Sequence, residues 1–169
     1  IRESAHGRRF ARPSPVFSSQ AFGLEIGVVL SGTRSFQTPH RGSADYSRGR
    51  ISVFDLGEPY VTAYTPHGEP GREVGFLVRS DMVEGWSPPG RVLAFPRREH
   101  HADSRLVELA LALAGALDRG EAVRPLEIEA EVRCFVERHA ELIDADAIEM
   151  ARRELHRTFA RPLYMRHFA

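Results

Sequence analysis

From Phe22 to about Arg79 the chain runs in short apolar stretches cut by glycine and proline, and alternation of apolar with polar positions is the dominant pattern. Leu24, Ile26 and Val28 alternate onto one face, and the run GVVLSGT ends in a Ser31-Gly32 turn signal. A second strand is predicted at Arg34 to Thr38, followed by a turn at Arg41-Gly42-Ser43. Asp45 to Arg48 then leads through Gly49 into a strand at Ile51 to Asp55. After a turn at Leu56-Gly57-Glu58-Pro59, Tyr60 to Tyr64 alternates again. His67 to Gly71 reads as a loop, and Glu73 to Arg79 as a strand whose continuous apolar middle predicts burial on both faces. About six short strands at this spacing predict a small antiparallel barrel or sandwich. The first twenty residues show neither period and are read as an extended arm.

Beyond the loop Trp86-Ser87-Pro88-Pro89-Gly90 the period changes from 2 to 3.6. Asp103 or Ser104 is a candidate N-cap for a helix to about Asp118, with Gly120 just past its end. Leu106, Leu109, Leu113 and Leu117 form one stripe; Val107, Ala110, Leu111 and Ala114 widen it until the helix needs cover on two sides. A second helix is predicted from Pro125 to about Ile143, with Ile128, Val132, Phe135 and Val136 inward and five glutamates opposite. Asp146 with Glu149 resembles a capping box for a third helix, Ala147 to Phe159, which Pro162 ends. The fold class is therefore α+β: a small antiparallel barrel followed by two or three helices.

Length and composition narrow the function. The chain has 169 residues, 42% hydrophobic and 27% charged, which suits one globular domain and excludes a disordered or collagenous chain. No apolar stretch is long enough to span a membrane, since Leu106 to Leu117 carries Glu108 and Gly115. The single cysteine, Cys134, cannot pair within the chain, and no signal peptide is evident, so a cytoplasmic protein is expected. Ile1 is not an initiator methionine, so the sequence is expected to belong to a longer product.

The 23 basic residues are all arginine and balance 23 acids. Lysine and asparagine are both absent, and their AT-rich codons make a GC-rich genome the simple explanation. The balance is uneven along the chain: +3 over residues 1–102, −5 over 103–144 and +2 over 145–169. None of these is the clustered basic face that a nucleic-acid surface requires.

Candidate chemistry is sparse. Phosphate-loop, dinucleotide and Gly-x-Ser-x-Gly motifs are absent, and SGTRS at Ser31 lacks a strand-to-helix context. Cys134, mid-helix beside Phe135 and Val136, reads as an inert thiol. Polar groups on strand faces are the remaining signal. Tyr60, Thr62 and Tyr64 share one face, and tyrosine combines an apolar ring with a hydrogen-bonding tip, as a pocket wall requires. Arg34 and Phe36 share a face of the neighbouring strand, and a buried arginine would select an anionic or polyhydroxyl ligand. Trp86, the one tryptophan, is a candidate lid or a loop anchor. The candidate ligand residues are thus Arg34, Phe36, Tyr60, Thr62, Tyr64 and Trp86.

The segments LEIGVVLSGT, RGRISVFDLGEP and GFLVR, in that order, resemble the cupin-like sensor domain of AraC-type bacterial transcription regulators. The tail AIEMARRELHRTFARPLYMRHFA is similar to the opening of their DNA-binding domain. The resemblance runs from about Phe22 to Ala169 and implies four parts. These are an N-terminal arm (1–20), a sensor barrel (21–99), a helical dimerisation region (100–144), and a linker with the first helix of a truncated DNA-binding domain (145–169). It also implies a small-molecule effector, a homodimer meeting through Leu106, Leu109, Leu113 and Leu117, and DNA contact only through helices beyond residue 169. It implies no catalytic residue, no cofactor and no metal. Metal-dependent cupins carry a His-x-His pair, which is absent here; Tyr60 stands where their later histidine would fall, and His40, His67, His100 and His101 lie in predicted loops. The alternative is a stand-alone cupin-fold enzyme or binding protein.

Overall fold

A computed structural model describes residues 8–10, 17–20, 23–38, 42–54, 59–65, 71–95, 99–100, 103–148 and 150. The strands are β1 (Arg8–Phe10), β2 (Phe17–Gln20), β3 (Leu24–Ser31), β4 (Thr33–Thr38), β5 (Gly42–Tyr46), β6 (Ile51–Phe54), β7 (Pro59–Thr65) and β8 (Gly71–Val78). Then come α1 (Ser80–Trp86), β9 (Arg91–Ala94), β10 (Glu99–His100), α2 (Ser104–Arg119), α3 (Pro125–His139) and β11 (Glu141–Asp144).

All pairings are antiparallel. They build a five-stranded sheet β1-β8-β3-β6-β10, a four-stranded sheet β2-β7-β4-β5 and a ribbon β11-β9. The fold is α+β, and among the described residues the strands form separate sheets without closing into one barrel.

The five-stranded sheet has cover on both faces. Leu24, Ile26, Val28, Ile51, Val53, Val74, Phe76 and Val78 join Leu106, Ala110, Leu113 and Ala114 of α2 and Ile128, Val132, Phe135 and Val136 of α3 in one aliphatic core. On the other face Val29 and Phe54 meet Phe36, Tyr46 and Tyr60 of the four-stranded sheet. A one-residue offset in alternation thus decides which core a side chain enters. In β8 the expected double burial resolves into alternation: Val74, Phe76 and Val78 are buried, whereas Gly75 and Leu77 are half-buried.

The α2 boundaries are those read from the sequence. Asp103 Oδ1 accepts a hydrogen bond from Leu106 N at 3.1 Å, and Gly120, at φ 66°, takes the left-handed conformation that closes the C-terminus. The leucine stripe needs correction. Leu106 and Leu113 are buried in the subunit's own core and Leu109 packs against it, so of the four proposed dimer residues Leu117 alone is exposed, along with Leu111 outside that set.

Part of the extended arm packs on the domain: β1 extends the five-stranded sheet along β8, and β2 extends the four-stranded sheet along β7. Other expectations change. The helix predicted to Ile143 stops at His139, because Ala140 turns extended and residues 141–144 pair with β9, placing Leu142 opposite Leu93. Helix α1 went unread because seven residues with none buried carry no periodic signal. Residues 145–148 are helical, and Asp144 Oδ1, rather than Asp146, accepts the hydrogen bond at the entrance, from Asp146 N at 2.9 Å. The turns around 41 and 57, the 67–70 loop and most of the predicted third helix, from residue 151 on, lie outside the described residues.

Asp103 also ties the ends of the two helices together. Arg138 Nη2 donates to Oδ2 at 2.6 Å, and His139 Nε2 lies 3.3 Å from the same atom while its ring packs on Phe135. Burial raises the Asp103 pKa, but the Leu106 amide, Arg138 and His139 outweigh it and hold the carboxyl below its ordinary value of 3.8. A carboxylate with a depressed folded pKa stabilises the fold above its unfolded pKa and loses that contribution as pH falls through the folded value. Asp103→Ala is therefore expected to cost about 1 kcal/mol or somewhat more in urea unfolding at pH 7. The difference from wild type should shrink in acid, below an unfolded pKa of about 3.9. An unchanged difference at pH 2.5 would contradict this role.

Candidate ligand-binding site

Four of the six candidate ligand residues converge between the two sheets. Arg34 and Phe36 on β4 and Tyr60 and Thr62 on β7 are all buried, with relative exposures of 8%, 3%, 4% and 2%. The β4–β7 register sets Phe36 opposite Thr62 and Arg34 opposite Tyr64, so Tyr64 occupies the adjoining backbone position. Trp86 does not belong here. It closes α1 and packs against the helix-side core, across the five-stranded sheet from Arg34, as an anchor.

The five-stranded sheet supplies what the sequence reading missed. Glu25, Gly27 and Val29 alternate onto the inner face of β3, opposite in register to Leu77, Gly75 and Glu73 of β8. Arg34 Nη1 is ion-paired with Glu73 Oε1, Nη2 lies 4.0 Å from Glu25 Oε1, and Nε donates to Thr62 Oγ1 at 3.2 Å. Tyr60 Oη donates toward both Glu25 oxygens, at 3.0 and 3.1 Å. The guanidinium carbon of Arg34 lies 4.3 Å from the centre of the Phe36 ring, a cation–π arrangement. Phe54 and Tyr60 stack with centroids 4.4 Å apart, and Phe36 tilts against Phe54 at 4.7 Å. The result is a polar cluster of one guanidinium, two carboxylates, a phenol and a hydroxyl, walled by aromatic rings.

Gly27 makes room for that cluster. A Cβ there would lie 2.5 Å from Glu73 Oε1 and 2.7 Å from Ser52 Oγ, closer than atoms tolerate, so the carboxylate rests against bare backbone. At Gly75, its cross-strand partner, a Cβ would meet nothing within 4 Å among the described residues. On these inner faces Thr38 Oγ1 is buried with no hydrogen-bond partner among the described residues, whereas Glu73 Oε1 is held by its ion pair with Arg34. Among the described residues no three His, Cys, Asp or Glu side chains group to hold a metal ion.

The signal for Glu25 and Glu73 was present in the sequence as acids at inward parity of β-strands. It went unread because either residue alone looks like a solvated strand end, and their meeting with Arg34 depends on how two sheets face each other.

Comparison with known proteins adds little. No protein-family model and no curated protein matches the chain. Among solved structures, it is similar over 37% of its length to a protein of unknown function (DUF1255) from Acidithiobacillus ferrooxidans, at 17% identity and a TM-score of 0.33, a match spanning 57% of that chain. A likeness this slight supports no argument about fold or function.

A buried charge left without its partner is costly, whereas removing both partners together is much less so. Glu73→Leu is expected to destabilise the protein by about 3 kcal/mol, and adding Arg34→Met to recover most of that loss. A double-mutant cycle by urea unfolding reads the coupling; additive single changes would show that the pair is not a structural unit.

Proposed function

We propose that this chain is the effector-binding and dimerisation part of an AraC-type transcription regulator, with the cupin-like architecture of that family. A small molecule would bind between the two sheets and the reaction chemistry of an enzyme would be absent. The observation that carries this reading is the contrast between the two faces of the five-stranded sheet. One face is an aliphatic core of the kind that stability demands. The other holds Arg34, Glu25, Glu73, Tyr60 and Thr62, which stability alone does not require, since well-packed apolar residues serve as well as or better than a buried ion pair. Apolar walls with a few convergent polar groups are the usual make-up of a small-molecule site.

The order of elements supports the same reading: arm, sheets, then two helices packed over one sheet, as in the resemblance quoted above. Exposed Leu111 and Leu117 on α2 favour self-association through that helix, now with residues other than the buried Leu106 and Leu113. DNA would be read only by helices beyond residue 169. Among the described residues no helix is long and apolar enough to cross a membrane, and a cytoplasmic location belongs to the same proposal. A stand-alone cupin-fold enzyme or binding protein is the competing reading, and stoichiometric metal in an elemental analysis would favour the enzyme.

A thermal-shift screen over sugars, aromatic acids, fatty acids and amines tests the binding role. At least one class is expected to raise Tm, by an amount that reflects about 2.7 kcal/mol at a concentration one hundred times Kd. The shift should be lost in the Arg34→Met/Glu73→Leu double variant, and a screen in which no class raises Tm would overturn the proposal. By sedimentation, the wild type is expected to be a dimer that Leu111→Glu or Leu117→Glu dissociates; a monomer at high concentration would remove the dimerisation role.

A further inference from the structure

We propose that the inter-sheet site takes a protonated amine borne on an apolar or aromatic body, with Glu73 and Glu25 as its counter-ions. The inference rests on reading that site as a small-molecule seat and names the class of molecule. Arg34 considered alone points to an anion, but its fork is already engaged. Nη1 pairs with Glu73, Nε with Thr62, and the plane of the group covers Phe36. A ligand carboxylate entering here would be a third anion beside two others, and like charges juxtaposed in a site are strongly disfavoured.

The acceptors, by contrast, have capacity to spare. An ionised carboxylate can accept about four hydrogen bonds. Among the described contacts Glu73 Oε1 is held by Arg34 Nη1 and Glu25 accepts only from the Tyr60 phenol, with Arg34 Nη2 4.0 Å away, so each carboxylate keeps acceptor sites to spare. Gly75 lies two residues from Glu73 on the same face of β8, and among the described residues nothing lies within 4 Å of where its Cβ would be. The stacked rings of Phe54 and Tyr60 offer an apolar and π-rich wall to the body of the ligand. Thr38, nine-tenths buried on the same face of β4 as Arg34, has a hydroxyl with no partner among the described residues.

Three probes of nearly equal size separate the charge classes: 2-phenylethylamine, protonated at neutral pH, 2-phenylethanol and phenylacetate, each titrated calorimetrically into the 169-residue protein. The amine is expected to bind at least about tenfold more tightly than the alcohol, and phenylacetate least tightly. Glu73→Gln, and separately Glu25→Gln, should cut amine affinity about tenfold while leaving the alcohol unchanged. Unaltered Tm in Glu25→Gln, which keeps an acceptor for Tyr60, guards against loss of fold. Phenylacetate binding as tightly as the amine, or amine affinity indifferent to both glutamine variants, would overturn the inference and leave the small-molecule seat standing. Failure of all three probes while another class from the screen binds would do the same. Failure of every compound would overturn the seat itself.

Discussion

The ion pair between Arg34 and Glu73 joins the two sheets, and much of the inter-sheet arrangement follows from it. A guanidinium and a carboxylate taken out of water between two sheets need each other and need further hydrogen bonds. Thr62, Glu25, Tyr60 and Phe36 are placed around them in a way that meets that need. Gly27 lets the carboxylate lie flat on the sheet. Such a cluster adds little net stability compared with apolar packing, and this is why its presence speaks for binding.

The opposite face of the same sheet answers a different requirement. There the strands need apolar cover, and α2 and α3 supply it through residues spaced at the helical period. Asp103 holds the arrangement at one point, since it caps α2 and receives Arg138 and His139 from the end of α3. The sheet thereby couples two environments: the inner face that would hold a ligand, and the helices that would carry a dimer contact. A ligand that shifts β3 or β8 acts on side chains of alternate parity that pack directly against α2, which is the physical route a sensor of this build would use. Arg72 makes a similar link, from β8 to Ala114 O and Asp118 on α2.

Legibility differed by element. Helix α2 was readable to within a residue at each end because its signals are local: an aspartate cap, a leucine period and a glycine in the left-handed region. Strands β3, β4, β6, β7 and β8 were readable for the same reason, through alternation and turn residues. The far end of α3 was not, because Glu141 to Asp144 has no helix-breaking residue, and its pairing with β9 depends on a strand fifty residues earlier. In the candidate site the convergence of Arg34, Phe36, Tyr60 and Thr62 was legible from shared strand faces, Glu25 and Glu73 were not, and of the two roles open to Trp86 the structure shows the anchor.

The amino-acid sequence by itself determined the α+β class, the ends of α2 and which residues share a face of each strand. These follow from periodicity, capping and turn chemistry acting over a few residues. Tertiary structure alone decided which face met which. It sent Leu106 and Leu113 into the subunit's own core, and it brought Glu73 to Arg34 across a gap of nearly forty residues, turning an apparent anion site into one with acidic excess. Periodicity specifies that a face is apolar or polar, but the partner of that face is chosen by packing between elements distant in the chain, where no local signal is written.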